Sequence, residues 1–106
     1  MYTYKAFVER VVDADTLLVK IDLGFESRIQ QYLRLRGINA PELETDEGKE
    51  ASDLVEQELS KAPHIILTSS RSDKYDRYLA DVFYGESDKP IYLNQLLLEE
   101  GLAQRW

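Results

Sequence analysis

The stretch Thr16-Leu-Leu-Val-Lys-Ile-Asp-Leu23, broken at Gly24 and resumed as Ser27-Arg-Ile-Gln-Gln-Tyr-Leu-Arg-Leu-Arg36, decides the fold. Leu17, Val19 and Ile21 alternate with Leu18, Lys20 and Asp22. A period of two places alternate side chains on opposite faces of a strand. In the second half Ile29, Leu33 and Leu35 are apolar, whereas Gln30, Gln31, Arg34 and Arg36 are polar. Just upstream, residues 4–12 are rich in aromatic and β-branched types and end at the turn-like step Asp13-Ala-Asp15. Three consecutive strands with short turns predict an antiparallel meander.

Beyond the meander, Gly37 and Pro41 mark residues 37–43 as a loop. Residues 45–61 are expected to be helical. Thr45 or Asp46 is placed to cap this helix, and Ala51, Leu54, Val55 and Leu59 form one apolar stripe. Ala62-Pro63 ends it. Residues 64–68 read as a strand, 69–74 as a polar loop, 75–84 as a fifth strand and 85–90 as a turn. A second helix is expected over 92–100, with Leu93, Leu96 and Leu97 inward and Gly101 at its C-terminal end. The order β-β-β-α-β-β-α predicts a β-barrel with helices (α+β), a five-stranded Greek-key barrel of the OB type. The alternative is an open α+β sandwich. At 106 residues, positions 1–106 are expected to form one domain.

Twenty acidic residues against 13 basic ones give a net charge of −7. That balance excludes a protein that holds nucleic acid through bulk positive potential, so phosphate contacts must come from a few placed cations. With no cysteine, disulfides, thiol nucleophiles and Cys-based zinc sites are excluded. No run reaches the apolar length of a membrane span, and the start Met1-Tyr-Thr-Tyr-Lys5 has no apolar signal region. No membrane partner is expected. Two locations stay open: the cytoplasm, or outside the cell after loss of a leader. Oligomeric state is open as well.

Two clusters carry candidate chemistry. Asp13, Asp15, Asn39 and Glu42 offer oxygen donors at positions that a meander brings close together. Such donors suit a hard cation such as Ca²⁺ or Mg²⁺, although an Asp in a turn also satisfies its own backbone. Arg34, Arg36 and Arg77 form the second cluster, since guanidinium groups bind phosphate oxygens in a bidentate fork. Ordinary salt bridges to neighbouring acids are the competing account. Tyr75 and Tyr78 flank Arg77 and are placed to stack on a base. His64, the only histidine, lacks the partners of a catalytic triad and reads as structural. Trp106 is assigned no role.

These segments resemble the staphylococcal nuclease family. Val11-Val-Asp-Ala-Asp-Thr-Leu17 is similar to the family's V-x-D-G-D-T signature, and Arg34-Leu-Arg-Gly-Ile-Asn-Ala-Pro-Glu42 to its R-L-x-G-I-D-A-P-E loop. Asp73-Lys-Tyr-Asp-Arg-Tyr-Leu79 is similar to D-x-Y-G-R-x-L, and the run from Asn94 to Ala103 to N-x-x-L-x-x-x-G-L-A. The resemblance implies an OB-type barrel that cleaves DNA or RNA, single strands favoured, with Ca²⁺, leaving 3′-phosphates. It also implies that Asp15, Asn39 and the Ala40 carbonyl bind the metal, with Asp13 in the outer shell. Glu42 would activate water, while Arg34 and Arg77 would hold the scissile phosphate. Lys74 and Tyr75 would contact the terminal phosphate, and Arg36 is a further candidate substrate contact. The chain departs from the pattern at Asn39 and Asp76, where the family has Asp and Gly, and at Ala14 between the two aspartates. Asn39 and the acidity favour a second reading, a non-catalytic module of the same fold that binds nucleic acid or protein.

Overall fold

The structure, a computed structural model, describes residues 2–72 and 78–106. Strand β1 (Tyr2–Asp13) pairs with β2 (Thr16–Asp22), which pairs with β3 (Arg28–Leu35), all antiparallel. This is the predicted meander. Register shifts in β1 between Val8 and Arg10 and between Val11 and Asp13 bend it, as closure of so small a barrel requires. The β2–β3 turn is tight: Gly24, Phe25 and Glu26 all have positive φ, at 79°, 54° and 61°. Two of these are not glycine, an uncommon backbone state for residues with a Cβ.

After β3 comes a two-residue strand, β4 (Ile38–Asn39), and then helix α1 (Asp46–Ser60). The Thr45 hydroxyl accepts a hydrogen bond from the Gly48 N–H at 2.9 Å and so caps α1. Helix α1 buries Ala51, Val55 and Leu59, and Leu54 is partly covered. Strand β5 (Ile65–Ser72) pairs with β1, and β6 (Tyr78–Glu86) pairs with β5, both antiparallel. A parallel pairing of Leu33–Leu35 in β3 with Tyr78–Ala80 in β6 closes the ring. The result is a five-stranded closed barrel of β1, β2, β3, β5 and β6 carrying two helices, the OB-type architecture. Leu17, Val19, Leu33, Leu35, Leu67 and Val82 fill its interior.

Several elements differ from the sequence expectation. The loop expected over 37–43 contains β4, because Ile38 and Asn39 find a partner in β8 (Gln104–Arg105). Strand β5 runs on through its serines to Ser72, since the backbones of β1 and β6 pair with it whatever its side chains. The turn expected over 85–90 is shorter, and β7 (Lys89–Tyr92) pairs back on β6. Helix α2 (Leu93–Glu99) follows at once, burying Leu93 and Leu97. Gly101, at φ 72°, takes the left-handed position just past its end. Among the described residues, no helix is long and apolar enough to cross a membrane.

Candidate active site

Asp15 opens β2, and its backbone carbonyl accepts from the Leu35 N–H at 2.8 Å. That bond holds the β1–β2 turn against the end of β3. Thr16 stands opposite Arg34 in the β2–β3 register, so both point to the outer face of the barrel. The Arg34 guanidinium reaches the Asp15 carboxylate in an ion pair through Nη1 and Oδ2. Arg34 Nη2 donates to the Ile38 carbonyl at 3.2 Å and to Asn39 Oδ1 at 3.1 Å. Asp15 Oδ2 also accepts from the Ala40 N–H at 2.9 Å, and Oδ1 from the Thr16 hydroxyl at 3.2 Å. Arg34 and Asp15 are each only 6% exposed, although they lie on the outside of the barrel.

Residues 37–40 cover them, and the chain's last residues hold that segment in place. Asn39 pairs with Gln104 and Ile38 with Arg105 across β4 and β8. The Trp106 N–H donates to the Gly37 carbonyl at 3.0 Å, and the Trp106 ring centroid lies 5.0 Å from Arg34 Cζ. Trp106, assigned no role from sequence, therefore backs the guanidinium with a cation–π contact. The composition carried no signal for this, because a terminal Trp gives no hint of its partner.

Glu42 lies three residues beyond Asn39. Its side chain is exposed and makes no hydrogen bond among the described residues. Its backbone is held firmly: the carbonyl accepts from the Thr45 N–H at 3.0 Å and the Thr45 hydroxyl at 2.7 Å. Gly48 packs against the same carbonyl so closely that a Cβ there would lie 1.8 Å from the oxygen. Asp13 is partly buried and stands opposite Thr16 at the end of β1.

Arg36 is separated from this cluster. It lies past the end of β3, and its Nε donates to Asp81 Oδ2 at 2.9 Å, which raises its pKa. Asp81 also accepts from the Tyr92 hydroxyl, whose pKa is pushed up to about 12 by burial first and by this bond second. The period-two argument that put Arg34 and Arg36 on one face stops where the strand stops. Asn94 was singled out only as part of a motif. It joins three elements, donating from Nδ2 to the Arg36 and Ala80 carbonyls at 2.9 and 3.1 Å and accepting from the Val82 N–H at 3.1 Å. Lys74, Tyr75 and Arg77 lie outside the described residues.

The structure thus brings together Asp15, Arg34, Asn39 and Ala40. Their oxygens are hard donors, and a divalent cation taken up by Asp15 and Asn39 would compete with Arg34 for both. Beside them opens a cleft of about 580 Å³ lined by Asn39, Ala40 and Pro41 and by the acidic Glu47, Glu50 and Glu100.

The sequence profile of the staphylococcal nuclease homologue family matches residues 32–106. An uncharacterized protein of Methanocaldococcus jannaschii is 29% identical over 126 aligned positions, covering 95% of this chain and 58% of that protein. An uncharacterized endonuclease of Escherichia coli O157:H7 is 30% identical over 96 positions, covering 91% of this chain and 57% of the endonuclease. The chain spans a little over half the length of these relatives.

Proposed function

Because the chain belongs to the staphylococcal nuclease homologue family, we propose that it is a Ca²⁺-dependent endonuclease acting on DNA and RNA, single strands favoured, and leaving 3′-phosphate ends. The observation that carries this reading is the buried Asp15–Arg34 pair on the outside of the barrel. A buried ion pair gives little stability over an apolar pair of the same volume, so a purely structural barrel has no use for one there. A site for a polyanion does.

Asp15, Asn39 Oδ1 and the Ala40 carbonyl are the oxygens that would hold the cation. When bound, such an ion adds positive charge at a phosphate oxygen. The remaining work falls to the chain's own side chains. Glu42 takes a proton from the attacking water. Arg34 and Arg77 bind the non-bridging oxygens and offset the charge that grows on them as the bond to the 5′-oxygen breaks. Asp13 supports the cation from the outer shell, and Lys74 and Tyr75 hold the terminal phosphate. Arg36 reaches substrate only by sharing its guanidinium with Asp81.

A second reading rests on Asn39, which gives the cation site an amide where a carboxylate would add charge. In that reading the chain binds nucleic acid without cutting it. A gel assay of single-stranded DNA, with Ca²⁺ and then with chelator, separates the two. Cleavage that chelator abolishes supports the nuclease. Retarded but intact DNA under both conditions supports the binding module.

A further inference from the structure

The chain's acidity is not spread evenly. Residues 42–61 carry eight acidic side chains against Lys49 and Lys61, which is six of the seven units of net negative charge. The cleft on that side of Arg34 is lined by Glu47, Glu50 and Glu100 and repels phosphate. In the other direction, β3 runs away from Arg34 along the outer face of the barrel. Tyr32, Gln30 and Arg28 follow at alternate positions, opposite Leu18, Lys20 and Asp22 of β2. Tyr32 is 42% exposed, an unusual position for a tyrosine unless it has something to stack on. Lys20 is exposed and stands beside Phe7 of β1. Arg28 Cζ lies 4.3 Å, and Lys5 Nζ 5.5 Å, from the Phe7 ring centroid. The acids on this face are engaged. Glu9 accepts from Gln30 at 3.0 Å, and Asp22 from the Gly24 N–H at 2.8 Å.

We propose that the outer face of β1–β2–β3 is a track for single-stranded nucleic acid, leading from Arg34 past Tyr32 and Lys20 to Arg28 on Phe7. This rests on the nuclease reading and adds to it the path and direction of the substrate. Tyr32 stacks the first base beyond the site. Arg28, flat against Phe7, offers its outer plane to another, since bases stack on guanidinium groups as on aromatic rings. Lys20 and Lys5 meet the phosphates between. From Arg34 to Arg28 the strand covers about 20 Å, six residues at the rise of a β-strand. That length matches the lower end of the site sizes found on barrels of this type, about four nucleotides. A duplex cannot use the face in this way, because its bases are stacked on one another.

The test is binding of a labelled twelve-nucleotide single strand by anisotropy, in chelator so that nothing is cut. It compares the wild type with Tyr32→Ala and with Lys20→Gln/Arg28→Gln, all checked for equal melting temperature. These side chains are exposed, so the variants fold. The double variant should bind about tenfold more weakly, with a log–log salt slope shallower by about 1.4, two phosphate contacts at about 0.7 each. Tyr32→Ala should lose at least about fivefold with an unchanged slope. With Ca²⁺ restored, the loss in kcat/KM should be larger on the twelve-mer than on a dinucleotide. If wild type binds and cuts the strand while both variants bind it equally well, the track is overturned and the nuclease reading stands. If wild type neither binds nor cuts, both fall.

Discussion

Arg34 is nearly sealed from water, so its loss acts on folding before it acts on chemistry. Arg34→Ala leaves the Asp15 carboxylate buried opposite nothing, and removing one member of a buried pair costs about 3–5 kcal/mol. Urea denaturation should show a fall of that size, and a variant as stable as wild type would mean that Asp15 is well hydrated. Asn39→Asp has the opposite character. A carboxylate in place of the amide adds charge to the cation site, and ligand charge is a main control on Ca²⁺ affinity. Repulsion from Asp15 is moderated because Arg34 already donates to the Oδ1 position at 3.1 Å. The expected gain is about ten- to a hundredfold in Ca²⁺ affinity, or roughly 1–3 kcal/mol, with a melting temperature no lower than wild type. Calorimetric titration decides it, and unchanged affinity removes position 39 from the metal site. The types of residue at 15, 34 and 39 were legible in the sequence. The roles of Trp106 and Asn94 were not, because each depends on a partner dozens of residues away.

Helix α1 does more than cover the barrel. Its Gly48 lies against the Glu42 carbonyl, and this contact with the Thr45 bonds sets the backbone from which Glu42 reaches the site. In Gly48→Ala the added methyl has no room, so either the loop or the helix start must shift. Overpacking of this kind costs about 1–3 kcal/mol. Both a lower denaturation midpoint and a lower kcat are expected, and a variant with wild-type kcat would show that the loop does not position Glu42. At its far end the same helix holds Glu58, which accepts from Lys61 Nζ at 2.6 Å and from the Tyr84 hydroxyl at 2.9 Å. The Lys61 bond first and the Tyr84 bond second lower its pKa from 4.5. A carboxylate with a depressed folded pKa adds stability above its ordinary value and loses it as the pH falls through the folded value. Stability should therefore drop below about pH 4.5, and Glu58→Gln should show a shallower drop. Denaturation curves at pH 6 and pH 3.5 compare the two. Equal slopes would mean that Glu58 is as well solvated folded as unfolded.

Across the molecule, closure of the barrel depends on one polar side chain as well as on its core. Asn94 is 2% exposed and satisfies backbone groups of Arg36, Ala80 and Val82. Asn94→Ala strands these groups, each at about 1–3 kcal/mol when buried and unpaired. Thermal unfolding should show a loss of at least about 3 kcal/mol. A loss under 1 kcal/mol would mean that water takes over all three bonds. The same scale sets the charge pattern. Net charge alone excluded binding by bulk potential, but it hid the fact that the acids gather around α1 and leave the β1–β3 face basic.

The sequence by itself determined the meander, the two helices and the barrel class, because these follow from local periodicity, turn residues and caps. It also named Asp15, Arg34 and Asn39, because oxygen donors and guanidinium groups declare their chemistry by type. Only the tertiary structure decided that β4 and β8 exist, since two-residue strands are defined by a partner and not by a pattern. Only it separated Arg36 from Arg34, by ending β3 at Leu35 and placing Asp81 within reach. And only it set Trp106 against Arg34, because contacts between the chain's end and its middle are fixed by the closed barrel and not by anything local to either residue.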